Sequence, residues 1–214
     1  MEREMRQWAR RSFLRLGVLT SLGASARSFG ASLAPSESIT KLRRVVTGRN
    51  RAGKAIMVQN GVSPRIVTTE TLPGLALVEV WATDKIPTLP VDPVDLTTTM
   101  QSFVPGPGGT RFRIVQFPGV SNRAFDQEAF RREYSVKAPG LAEAMELQDS
   151  GMHTTDTVDY GVVISGEITL ELDDGAKVSL KQGDCVVQNG TRHAWRNSST
   201  TPCVMAFVLV GAAK

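Results

Sequence analysis

The chain has 214 residues, enough for one domain with a sizeable core, and its 41% hydrophobic and 21% charged residues are ordinary for a globular protein. Its net charge of +4 lies wholly in residues 1–34, which hold six Arg and two Glu; the remainder carries 19 basic and 19 acidic residues and is formally neutral. That balance excludes a basic nucleic-acid or anionic-membrane surface as the organising feature of the body.

In the first segment, Arg10-Arg11, Ser12, Phe13-Leu14 and Arg15 precede a short, weakly apolar run from Leu16 to Ala26. This is the layout of a twin-arginine export signal, with Ala24-Ser25-Ala26 as the cleavage site, a mature start near Arg27 and a periplasmic destination. An Arg- and Ser-rich mitochondrial-type presequence, or an extension without targeting role on a cytoplasmic protein, are the alternatives. The run is too short to span a membrane, which takes about 20 apolar residues. Residues 1–34 are therefore set apart from the fold, and 35–41 (PSESITK) read as a linker to a single domain over 42–214.

The domain opens with LRRVVTG and KAIMVQNG, two β-rich runs on either side of GRNRAG, and Asn60-Gly61 carries a turn signal. RIVTTE and GLALVEVWATD are further strands. From Lys85 to Gly109 the chain is rich in Pro, Gly and Thr without periodicity, and reads as a long loop. In TRFRIVQFPG, Phe112, Ile114 and Gln116 alternate with Arg113, Val115 and Phe117. Between Gly119 and Ser150 the texture becomes helical: NRAFDQEAFRREYSV puts Phe125, Ala129 or Phe130, and Tyr134 near one stripe, and LAEAMELQ follows. This insertion either closes over the mouth of the β structure as a lid or packs on its outside.

From Gly151 to Asn197 the alternation returns and carries the chain's only two histidines, His153 and His193. ITLELDDGAKVSL alternates on both sides of Asp173-Asp174-Gly175, which supplies the residues of a tight turn. Strands are expected at 160–165, 168–173, 176–180, 184–188 and 203–210. Cys185 and Cys203 lack a zinc-type spacing and read as small buried residues rather than a disulfide.

His153, Thr155, Asp159 and Gly166 stand at the spacings of the first cupin motif, where the typical member has His, His, Glu and Gly. Gly183-Asp184, Gln188-Asn189-Gly190, His193 and Asn197 follow the second motif, with Gln188 in place of Pro and the spacer before the turn one residue short. On these residues the chain resembles the cupin superfamily, and GTRHAWRN looks like the small single-domain cupin proteins, some of which belong to fungal pathways making aromatic salicylaldehyde-type polyketides. A looser likeness (LRRVVTG, VEVWATD, GGTRFRIVQFPG) extends back to about Leu42. The resemblance implies an all-β, antiparallel jelly-roll β-barrel with its core over 111–210, N-terminal strand extensions, a short helical insertion, and assembly as a homodimer.

It also implies a metal site. Thr155 replaces one imidazole and Asp159 shortens the usual carboxylate, so the retained set is His153, Asp159 and His193 around one divalent ion, Fe, Zn, Mn or Ni. Such a set would share an ion at about 2.0–2.2 Å, with Thr155 standing back in the same cavity to leave a position open. Tyr160 is the candidate proton-moving residue; Trp195, Gln188 and Arg192 are candidate pocket residues, Arg192 for a substrate carboxylate. The expected function is a metal-dependent enzyme acting on a small carbonyl or aromatic compound, by dehydratase, isomerase, decarboxylase or oxygenase chemistry. The alternative is a metal-free cupin that binds or senses a small molecule without catalysis. No nucleic-acid partner and no membrane span are expected.

Overall fold

The computed structural model describes residues 37–213 apart from 92, 93, 123 and 150, so the expected leader over 1–34 lies outside the described residues. The elements run α1 (Glu37–Thr40), β1 (Arg43–Arg49), β2 (Ala55–Val62), β3 (Arg65–Thr68), β4 (Ala76–Thr83), β5 (Thr110–Phe117), α2 (Gln127–Lys137), α3 (Leu141–Ala144), β6 (Thr157–Ser165), β7 (Glu167–Glu171), β8 (Lys177–Lys181), β9 (Cys185–Asn189), β10 (Ala194–Arg196) and β11 (Cys203–Gly211). They form a six-stranded sheet ordered β3-β4-β5-β11-β6-β9, a three-stranded sheet β10-β7-β8, and a separate β1-β2 ribbon. Every strand pairing is antiparallel, as in a jelly roll.

The alternation read from the sequence is realised in β11. Met205, Phe207 and Leu209 are buried on one face, while Val204 and Ala206 pack on the other against a smaller cluster of Ile39, Ala76, Val78 and Ile114. The larger cluster draws Leu77 from β4, Val115 from β5, Val163 from β6, Ile168 from β7 and Phe130 and Tyr134 from α2. It therefore joins both larger sheets and the helical insertion.

Two boundaries differ from the sequence reading. Residues 37–40, expected in the linker, form α1, because burying Ile39 against Ala76 and Val78 outweighs the polar neighbourhood. Asn60-Gly61 lies inside β2, opposite Val45 and Arg44, so strand pairing overrides the local turn signal; the turn sits at 50–54 instead, where Asn50 Oδ1 accepts from the N–H groups of Ala52 and Lys54. The described residues of the expected 85–109 loop are irregular apart from a 3₁₀ turn at Leu96–Thr98, yet they are tied down: Phe103 is fully buried and its N–H donates to Pro139 O at 2.8 Å.

Gly166 shows why the motif carries glycine there. Its φ is +77°, and an added Cβ would lie 2.6 Å from the Pro202 carbonyl oxygen at the tight β6–β7 connection. Cys185 is exposed and Cys203 buried, and both are free thiols.

Candidate functional site

The helical insertion walls a cavity rather than packing outside the sheets. Phe125, Phe130, Arg131 and Tyr134 line a space of about 290 Å³ together with Leu77 of β4, Arg113 and Val115 of β5, Asp159 of β6, Trp195 of β10 and Phe207 of β11. α2 is pinned in place through Glu133, which accepts from the N–H groups of Glu70 and Thr71, the Thr71 hydroxyl and Lys137 Nζ. Burial opposes the charge on Glu133, but these four donors more than offset it and hold the carboxyl down at about 2.

His153 and His193 meet in this cavity. Their backbones exchange two N–H···O bonds of 3.0 Å across an antiparallel bridge, which places the ring centroids 4.2 Å apart. Each ring is fixed by its own turn: His153 Nδ1 lies 2.9 Å from Gly151 O, and His193 Nδ1 lies 2.8 Å from Thr191 O. A carbonyl can only accept, so both Nδ1 atoms carry hydrogen and both Nε2 atoms keep their lone pairs. Burial, and then the neighbouring His193, push His153 down to about 4; burial likewise lowers His193. Both rings are therefore neutral at neutral pH, the form that ligates metals.

Asp159 shares the cavity wall. Burial raises its carboxyl above the usual range, partly offset by a hydrogen bond from Thr157 and by the nearby His193 and Arg113. Its Oδ1 is buried with no hydrogen-bond partner. Thr155 is buried in the same wall with its hydroxyl 2.8 Å from that of Thr157. Thr155, Thr157 and Asp159 alternate along one face of the chain, which sets the paired hydroxyls beside the Asp159 carboxyl.

The donor chemistry fits a divalent metal: two neutral imidazoles with free Nε2 atoms, and one carboxylate oxygen without a protein partner. As the side chains stand, no three His, Cys, Asp or Glu groups among the described residues meet at ligand spacing. The histidines are paired; Asp159 is on the same wall but has not closed the triad.

Other expected pocket residues divide. Trp195 lines the cavity, edge-on to His193 with centroids 5.7 Å apart. Tyr160 does not: it is 54% exposed, because the alternation that turns Asp159 inward turns its neighbour outward. Arg192 also faces away, since it precedes the inward His193, and it is held by Glu146, Asp149 and Asp173. Gln188 is buried opposite Asp159 in the β6–β9 ladder but lies outside the cavity lining, and its Oε1 accepts from the Thr191 hydroxyl. Asn197 organises the following turn, donating to Thr201 O and accepting from Ser199 N. The sequence reading missed Arg113, Arg131 and Glu146 as lining residues, whereas Phe125, Phe130 and Tyr134 carried a signal as members of the apolar helical stripe.

The neutral histidines make stability pH-dependent. In the unfolded chain His153 takes up its proton near the ordinary value of 6.5, in the folded protein only near 4. Its contribution is thus complete above the first value and drains away as pH falls toward the second. For chelator-treated protein the loss across that window should reach at most about 3 kcal/mol, and His153→Gln should flatten it. Urea midpoints recorded across the window check this; equal slopes in the two proteins contradict it.

Comparison with known proteins places these residues. A family model described as "Cupin domain" matches residues 144–210, a span containing both histidines and Asp159. The chain is 40% identical over 114 residues to "Phomopsin biosynthesis cluster protein C'" of Diaporthe leptostromiformis, covering 51% of this chain and 49% of that protein. It is 50% identical over 62 residues to "Oryzines biosynthesis cluster protein J" of Aspergillus oryzae, covering 29% and 35%. It is 28% identical over 200 residues to "Cupin-domain-containing oxidoreductase virC" of Hypocrea virens, covering 90% and 84%. The chain spans about half or less of the length of the first curated relatives that it matches. The histidine pair, the antiparallel jelly roll and the matched span agree: residues 144–210 match a cupin domain, and the chain is similar to cupin-domain proteins of fungal pathways.

Proposed function

We propose that this protein is a metal-dependent cupin enzyme of a biosynthetic pathway, acting on a small carbonyl or aromatic compound. The observation that carries the reading is the His153–His193 pair, two neutral imidazoles locked by their Nδ1 hydrogen bonds with both Nε2 atoms available in a largely apolar cavity. His153, His193 and Asp159 would hold one divalent ion. When bound, that ion supplies Lewis acidity toward a carbonyl or enolate oxygen and, if it is iron, reactivity toward dioxygen. The relatives named as cupin-domain-containing oxidoreductases support the oxidoreductase branch over the lyase and isomerase branches.

The chain's own residues would do the rest. Leu77, Val115, Phe117, Phe130 and Phe207 exclude water and receive the apolar body of the substrate. Burial raises the Tyr134 phenol, so this cavity residue stays protonated and can donate to a substrate oxygen; it takes the proton-handling role that Tyr160, facing outward, cannot fill. Thr157 orients the Asp159 carboxyl and Thr155 orients Thr157.

A metal-free binding cupin is the second reading, favoured by the absence of a closed three-donor group among the described residues. Metal-loaded protein incubated with a panel of aromatic aldehydes and 1,3-dicarbonyls should give product by mass spectrometry, and chelation should abolish it. Turnover that survives complete removal of metal overturns the proposal.

A further inference from the structure

Arg131 is the cavity's uncommitted cation. It lies on α2 between the buried aromatics Phe130 and Tyr134, lines the cavity, and holds its Nη1 buried without a hydrogen-bond partner. The other two lining arginines are engaged: Arg113 Nε sits 2.9 Å from Glu79 Oε1, and Arg196 Nε donates to Glu171 at 2.6 Å. A guanidinium remains charged throughout the physiological range, and a buried N–H with no acceptor carries its full desolvation penalty. The lining carboxylates do not relieve it. Glu146 is bound in bidentate fashion by Arg192, and Asp159 hydrogen-bonds Thr157 beside His193. None of the lining carboxylates therefore supplies the acceptor that Arg131 Nη1 lacks.

We propose that the cavity takes a small organic acid whose carboxylate accepts a hydrogen bond from Arg131, with its apolar or aromatic body among Phe125, Phe130 and Trp195. A planar guanidinium suits a carboxylate better than any neutral oxygen, and charge-assisted bonds in a dry site are the strong ones. Such a ligand is anchored at the α2 wall and extends toward the histidine pair. The assignment deepens the reading of this cavity as a small-molecule site and rests on it. It also moves carboxylate recognition from Arg192, which Glu146, Asp149 and Asp173 already hold, to the helical wall.

The test uses metal-free full-length protein, so that it stands apart from the metal reading. Binding of benzoate and cinnamate is compared by calorimetry with that of benzamide and cinnamamide. Wild type should prefer each carboxylate by about tenfold or more, the worth of one charge-assisted hydrogen bond. Arg131→Gln should erase the preference, Arg131→Lys should keep most of it, and Arg192→Gln should leave it intact; thermal melts confirm that each variant is folded. Equal affinity for acid and amide in wild type, or a preference that survives Arg131→Gln, overturns the proposal.

Discussion

Glu79→Ala should lower folding stability by about 3–5 kcal/mol, the range for stranding one half of a buried ion pair. Glu79 is fully buried and Arg113 is 3% exposed, with Arg113 Nε 2.9 Å from Glu79 Oε1. Arg113 also donates to the Phe103 carbonyl and stacks its guanidinium over the Phe103 ring at 5.6 Å. Removing Glu79 leaves that guanidinium in the protein interior with only a carbonyl to balance it. Arg113 belongs to the cavity wall, so the damage should reach the site as well as the core. The double variant Glu79→Met, Arg113→Met should recover much of the loss, because no charge is then stranded. Urea denaturation of the three proteins checks it. A single-variant loss under about 1 kcal/mol would mean that water or a rearranged neighbour compensates Arg113.

The second large effect concerns the histidines. His193→Ala should weaken binding of a divalent ion by at least about 100-fold, beyond what loss of an outer hydrogen-bond partner costs. His193 would contribute Nε2 to the ion, and its backbone forms the bridge that sets His153 in place; the substitution spares the bridge, so the folded fraction should change little. Asp159→Ala should weaken binding by about tenfold or more, since it removes the only carboxylate of the set. Competition against a fluorescent chelator measures both. Unchanged metal affinity in His193→Ala would remove the imidazole pair from the site.

Much of this was legible because strand alternation is a local property. The strands β6 to β9 and β11 fall where period-two patterning and Asp173-Asp174-Gly175 put them, and the spacing of His153 and His193 brought both histidines into one cavity. The same rule, applied strictly, corrects the reading of Tyr160: a residue adjacent to an inward Asp159 on a regular strand must face outward. Arg192 beside His193 fails for the same reason. What the sequence could not carry is long-range. The place of α2 depends on Glu133 reaching Glu70 and Thr71, more than sixty positions away, and only that placement brings Arg131 and Tyr134 to the cavity. Asn60-Gly61 looked like a turn until β1 supplied the partners that keep it extended.

The proposed chemistry requires that the histidine pair hold a metal. Elemental analysis of protein reconstituted with Fe(II), Zn, Mn or Ni and then desalted tests this most directly, with the double variant His153→Ala, His193→Ala treated in parallel. Wild type should retain about one ion per chain for at least one of these metals, and the double variant none, as expected for a site built on two neutral imidazoles. Wild type that retains none of the four metals, or a double variant that retains as much as wild type, would contradict it.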